Sequence, residues 1–503
     1  MIRRLHFRNR FTHRLLFGML LAGIMINVMC FSNKLHRHDL LEIVKGYAET
    51  MLEHGVDQWG EEKTGMLISM LDRSTLAPFS AQPPAPGGVR ETDRISLYGA
   101  NYNLDQNLYQ TLYTLSDVTG EKAYAAAADK ALGDFITRTQ SPVTGLLAWG
   151  EHLCWDLATE TWVTGHRKPY HEMKRPMLFW DRHFASNPAQ AKAFARGLWE
   201  HQIQDQHTGN FSRHALYTSH GPGANNDFPK EGSYMIDIWS KAYQDTGEEI
   251  FLTALNTLCQ RYLGKLNDKN LMEQDSRRAG RNWTAENLSL AIFAHRAADR
   301  IPPGELADNL RNLAMRIDSG FFTLSHDVPK RGFVYFADPA NGQPRPYSTS
   351  PDGYTRTWGM AYGVYMTSQL GMLCFKRMLQ LEEGPTKDGY RRCILDAAAV
   401  YQVEKPDTDT LDIWPVEYGA AIFVQLMAHR LTGAEMYLAG ARALAEDALL
   451  LFFEENIPLP KASSKATHYE SVTQGDTFIY ALLALYLEED GDQRTINLEE
   501  VVF

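Results

Sequence analysis

The sequence predicts an all-α protein, an (α/α) toroid of helical hairpins with minor β-hairpin content, on three observations. Apolar residues recur at three- and four-residue spacing along most of the chain. A helix–Thr-Gly–helix pattern repeats at Asp117–Tyr124, Gln244–Phe251 and Arg430–Tyr437. In each, the glycine suits a left-handed helix cap and the aromatic four residues later begins the next apolar face. Finally, the segments between hairpins are long and rich in Gly, Pro, Trp, Tyr and His, unlike the short turns of an α-solenoid.

Five arginines within residues 1–14 precede an apolar run from Leu15 to Phe31. A basic region before such a run reads as an export signal or signal anchor over residues 1–34, placing the protein in the periplasm or outside the cell, with an N-terminal membrane anchor as a possible partner feature. Residues 35–90 read as a helical lead-in (His36 to Leu71) and a Pro/Gly-rich loop (Pro78 to Gly88). The main body, 91–490, carries no linker that separates a second domain. Helices are predicted over Asp105–Ser116 and Lys122–Phe135, from Met360, after Trp414, and over Phe478–Leu487. Pro329–Asp352 is the longest non-helical stretch, with a short hairpin around Gly332–Ala337. Residues 491–503 read as an acidic, loosely ordered tail.

The net charge of −11 argues against nucleic acid and against any general basic field for an acidic polymer. An acidic substrate must therefore be held by local cations or a metal. The five cysteines are scattered, without a CxxC pair, and read as free thiols.

The chemistry concentrates in Trp149–Glu231, predicted to be mostly helical. His152, Glu172 and His214 can close on one divalent metal, and Arg213 lies directly beside the last. Imidazole and carboxylate together suit Mn, Fe, Co, Ni or Zn, and three protein ligands leave a position open for substrate. Glu151 and His171 flank the ligands and are able to exchange roles with them. Lys174 and Arg175 are candidate partners for substrate carboxylates. Tyr354 and Arg356 form a candidate acid–clamp pair, and His171, His220, Asp227 and Tyr234 are candidates to line the cleft. Arg277, Arg278 and Arg281 form a basic cluster, either a polyanion contact or a surface patch.

In a helical toroid with these loops, the order His152, Glu172, Arg213-His214 resembles polysaccharide lyase family 2, the (α/α)-barrel pectate lyases. The resemblance implies a metal of the Mn, Co or Ni type on His152, Glu172 and His214. It also implies Arg213 as the Brønsted base and an acidic polysaccharide, pectate above all, as substrate. Two other readings compete. An (α/α)-barrel glycoside hydrolase, such as an unsaturated glucuronyl hydrolase, would use two carboxylates from Asp156, Asp227, Glu417 and Asp476 and no metal. A non-catalytic glycan-binding toroid would keep the aromatics and not depend on Arg213. A helical-barrel epimerase fits less well, because His429 and His468 match its expected histidines poorly.

Overall fold

The computed structural model describes residues 37–221, 227–274, 280–348, 350–361, 363–492 and 496–503. The leader and the Arg277-Arg278 part of the basic cluster fall outside those residues.

Fourteen α-helices are present among the described residues: α1 (Arg37–Thr50), α2 (Gln106–Thr119), α3 (Lys122–Thr139), α4 (Trp180–Ser186), α5 (Pro188–Gly197), α6 (Pro229–Thr246), α7 (Glu249–Lys265), α8 (Thr284–Arg300), α9 (Glu305–Thr323), α10 (Thr367–Leu379), α11 (Pro385–Val403), α12 (Pro415–Thr432), α13 (Glu435–Phe452) and α14 (Gly475–Glu489). They alternate between two rings. Helices α2, α14, α12, α10, α8 and α6 pack side by side in that order, and α5, packed on both α3 and α6, fills the remaining wall. The inner helices are buried nearly all round: every residue from Gly475 to Glu488 of α14 is buried. The outer ones bury a single stripe, as in α11 with Tyr390, Ile394, Ala397, Ala398 and Tyr401. One ring therefore reads as continuous hydrophobicity and the other as amphipathic helix.

The three Thr-Gly turns join inner helix to outer helix. Gly120, Gly247 and Gly433 adopt φ of 78°, 68° and 66°, and each N–H closes on a carbonyl four residues back. An L-side chain resists this left-handed geometry, so glycine ends the helix there. Every outer-to-inner connection is longer and irregular, and all of them gather at the opposite end, around the N-termini of the inner helices. Function is expected at that end.

Four expectations change. Trp149–Glu231 is not mostly helical: among the described residues, beyond α4, α5, a π-helical turn at Leu198–Gln202 and the start of α6, it consists of short antiparallel strands and loops. The lead-in is helical only to Thr50, with a five-residue π-helical turn to Gly55. The helix expected from Met360 begins at Thr367; near the expected hairpin, Phe336–Ala337 pairs with Asn282–Trp283 while Ala337 also bridges Pro344 locally. The tail is not loose, since Ile496, Leu498, Val501 and Val502 are all buried. The described cysteines are free thiols, as expected.

One buried histidine serves packing alone. His183 lies edge-on to Tyr102, and neither ring nitrogen has a hydrogen-bond partner. Burial pushes its imidazole down to about 3. Between that value and the unfolded value of about 6.5, the unfolded chain takes a proton that the folded one refuses, so this site loses stability as pH falls. In His183→Phe the stability difference from the parent should move in the variant's favour by about 1.4 kcal/mol per pH unit below 6.5. Denaturant melts from pH 7 downward check this, and a pH-independent difference would refute it.

Candidate active site

Three chain segments meet at the site end, between the N-termini of α2 and α6. The first contact is a strand pair, Tyr170–His171 with Ala215–Leu216, in the register His171↔Ala215. One step further in the same antiparallel register, Glu172 faces His214. The third segment arrives through Gly150, whose φ is +114°. A Cβ at Gly150 would strike the carbonyl oxygen of Glu172, so glycine is what lets the backbone before His152 approach. Asn101 fixes that backbone, donating to Gly150 O at 2.7 Å and accepting from Gly150 N at 3.3 Å. Asn103 Oδ1 accepts from the N–H groups of Lys174 and Arg175, which holds the turn after Glu172.

Glu151, His152, Glu172 and His214 each offer a ligand atom, and these atoms lie within 4.8 Å of one another. All four residues are buried. Glu172 divides its oxygens: Oε1 accepts from Arg213 Nη1, while Oε2 has no hydrogen-bond partner and lies 3.4 Å from His214 Nε2, which also has none. His152 Nδ1, 3.9 Å from Asp93 Oδ1, is likewise unpartnered, while its Nε2 lies 3.9 Å from Glu151 Oε2. Burial pushes the His152 imidazole down to about 2 and lowers that of His214 as well. Burial alone would raise Glu172, but Arg213, Lys174 and His214 outweigh it and hold the carboxyl well below its usual range. Two neutral imidazoles and a carboxylate with bare, converging atoms are what a divalent transition metal requires, so the residues fit the group that the resemblance implies. Glu151, flanking the set in sequence, is close enough to serve as a fourth ligand.

Cations surround this cluster. Arg213 Nη1 donates to Glu151 Oε2 at 3.0 Å as well as to Glu172, and Lys174 Nζ lies 3.2 Å from Glu151 and 3.8 Å from Glu172. Burial pushes the Lys174 ammonium down to about 7, against the opposing pull of Glu172. Arg90 pairs with Glu151 and, at 2.7 Å, with Asp93. Tyr170 stacks on His214, and His166 packs edge-on to His152 with ring centres 4.1 Å apart. Sequence reasoning missed Arg90, Asp93 and His166, which carry no motif and lie up to sixty residues from the ligands they touch.

Residues 89–257 match the periplasmic pectate lyase family. The matched stretch contains all of His152, Glu172, Arg213 and His214, and it supports a carbohydrate-processing enzyme. The chain is also similar in structure to an unsaturated glucuronyl hydrolase specific for heparin (11% identity, 90% of this chain and 98% of that one, TM-score 0.45). It is similar to cellobiose 2-epimerase from Bacillus thermoamylovorans B4167 (10%, 90% and 100%, TM-score 0.44). A third similar structure is an α-1,6-mannanase from Salegentibacter sp. HEL1_6 (10%, 89% and 100%, TM-score 0.45). No helix among the described residues is long and apolar enough to cross a membrane.

Other predicted site residues lie elsewhere. His171 is fully buried against Trp149 and Phe194, its Nδ1 2.9 Å from Leu147 O, and holds the strand rather than a sugar. Arg175 is buried and donates to Leu104 O. Tyr354 packs among Leu271, Leu324, Val334 and Ala337 and donates its hydroxyl to Ser325 O at 3.1 Å, so it is a packing residue rather than an acid. Arg356 is exposed on the same connection. His220 is exposed, its Nδ1 3.0 Å from that of His201. Tyr234 is buried edge-on to Phe293 and lines the toroid lumen. Asp227 is ion-paired with Arg261 and Lys265.

Proposed function

We propose that this protein is an exported polysaccharide lyase that cleaves a 4-linked uronic-acid polymer, pectate first among them, by metal-assisted β-elimination. The observation that carries this reading is the unpartnered, converging His152–Glu172–His214 set with Arg213 touching its carboxylate. Residues 91–490 would form the catalytic domain and residues 1–34 the export signal or anchor.

β-Elimination removes the proton at C5 of a uronate, forms the C4=C5 double bond and expels the oxygen at C4, which takes up a proton. A divalent transition metal on His152, Glu172 and His214 would neutralise the C6 carboxylate and so acidify C5–H. Lys174 and Arg90 supply further positive charge for carboxylates in the cleft. In this reading Arg213, beside the ligand His214 and in contact with Glu172, receives the C5 proton. Arginine ordinarily stays charged, so this role requires Arg213 to leave both Glu172 Oε1 and Glu151 Oε2 and give up a proton. Tyr170, stacked on His214, fixes the ring of the last ligand.

The hydrolase reading needs two carboxylates free for acid–base work. Glu417 accepts from Trp414 N at 2.9 Å and Gly359 N at 2.7 Å, and Asp476 from Thr477 N at 2.8 Å and Leu108 N at 3.2 Å. Asp156 accepts from Ser96 Oγ and Thr159, and Asp227 is held by Arg261. All four are occupied as caps, turns or ion pairs. The test is incubation with polygalacturonate, alginate and glucuronan. Absorbance near roughly 230 nm reports the unsaturated product of a lyase, whereas reducing ends without absorbance would make the enzyme a hydrolase.

A further inference from the structure

The segment 496–503 buries Ile496, Leu498, Val501 and Val502 and contacts several inner helices. Arg430 of α12 donates to Ile496 O at 3.4 Å, and Arg296 of α8 pairs with Glu499 and Glu500 at 3.3 Å each. Gln110 of α2 donates to Glu500 O at 3.1 Å, and Lys376 of α10 to Val501 O. Asn107 of α2 donates to Val502 O at 2.6 Å and also to Thr477 Oγ1 of α14. Tyr234 of α6 lines the same cavity as residues 499–503. Contacts on α2, α8, α10 and α12, with Tyr234 of α6 lining the same cavity, set the segment inside the ring of inner helices. It begins beside the C-terminal end of α12 and reaches the N-terminal ends of α2 and α14, so it climbs toward the site.

At the top, Phe503 meets Tyr365 edge-on with ring centres 5.6 Å apart, and Lys230 Nζ sits 5.6 Å from the Tyr365 ring. Lys230 lies 3.8 Å from Glu231 and 3.7 Å from Glu286. Glu231 in turn feels the charges of Arg213 and Glu172. Tyr365, Lys230 and Glu231 thus lie in turn between Phe503 and the candidate metal set.

We propose that residues 499–503 form the inner wall of the sugar cleft and limit how many uronate units it accepts. This rests on the uronan-lyase reading above. The lumen around the tail combines aromatic rings (Tyr234, Phe293, Tyr365) with two cations, Arg296 and Lys376, features that suit an acidic oligosaccharide. The tail occupies those partners with its own chemistry: two carboxylates on Arg296, a carbonyl on Lys376 and a ring on Tyr365. Its acidity therefore matches cations that would be costly to bury unpaired, and a substrate chain entering from the mouth stops at Phe503.

The experiment uses two full-length variants, Phe503→Ala and the triple variant Glu499→Gln/Glu500→Gln/Phe503→Ala. Each is confirmed as folded by circular dichroism and thermal melting. Calorimetric affinities for dimer-to-hexamer series of galacturonate, mannuronate and glucuronate are measured with Mn, Co or Ni present and with Arg213→Ala in parent and variants alike, so that binding is read with turnover suppressed. In the parent, affinity should stop rising at a defined oligomer length. In the variants it should continue to rise, with roughly a tenfold gain for the longest oligomers relative to the dimer, or about 1.4 kcal/mol. An unchanged length profile in folded Phe503→Ala, or in the folded triple variant, overturns the wall while leaving the lyase reading intact. A parent that binds no oligomer of any series defeats the uronan reading and the wall with it.

Discussion

Arg213→Ala is expected to lower kcat on polygalacturonate by about a thousandfold, the middle of the range for loss of a general base, while the protein still binds its metal. The Arg213 side chain touches Glu172 Oε1 and Glu151 Oε2 and leaves Glu172 Oε2, His152 and His214 free of it. Glu151 keeps Arg90 and Lys174 as partners, and Glu172 keeps Lys174 nearby, so the fold should survive. Steady-state kinetics separate the roles. A base lost from the transition state lowers kcat, whereas a clamp lost from substrate binding raises KM with kcat retained. A kcat within tenfold of the parent would remove Arg213 from the proton transfer and leave it as a carboxylate clamp.

Glu172→Gln should do two kinds of damage at once. It removes a metal ligand, and it removes the buried carboxylate that Arg213 and Lys174 share. Breaking a buried ion pair from one side costs about 3–5 kcal/mol because the other charge stays buried. Glu151 remains as a second partner for both cations, which places the expected loss toward the lower end. His152→Ala provides the contrast. Its imidazole is neutral and its Nδ1 unpartnered, so metal affinity should fall without a comparable loss of stability. Metal titration and thermal melting of the two variants side by side check this. Equal melting temperatures for parent and Glu172→Gln would mean that the carboxylate carries none of the local charge balance.

What the sequence revealed and what it hid follow from how local each feature is. The Thr-Gly turns were legible because a left-handed cap is decided within a few residues, and Gly120, Gly247 and Gly433 are all found there. The ligand set was legible only as an ordered series of residue types. Its closure depends on the register His171↔Ala215 and on the close approach at Gly150, two long-range facts. The same strand pairing explains why a region read as helical is not. Tyr354 misled because a tyrosine near an arginine after a flexible loop has the composition of an acid–clamp pair; its hydroxyl is satisfied by Ser325 O inside a small apolar cluster. The tail misled through Glu499 and Glu500, which suggest solvent. The apolar residues around them, Leu498, Val501 and Val502, pack inside the toroid, while the half-buried glutamates pair with Arg296.

The central claim is that a metal on His152, Glu172 and His214 makes elimination possible. The most direct measurement is the absorbance near roughly 230 nm from polygalacturonate, alginate and glucuronan, taken on chelator-stripped protein and again after adding back Mn, Co or Ni. The account predicts a flat trace after stripping on all three polymers. It also predicts recovery with at least one metal on at least one polymer, and no recovery in Glu172→Gln. Full activity in the stripped protein, or reducing ends released without that absorbance, would contradict it.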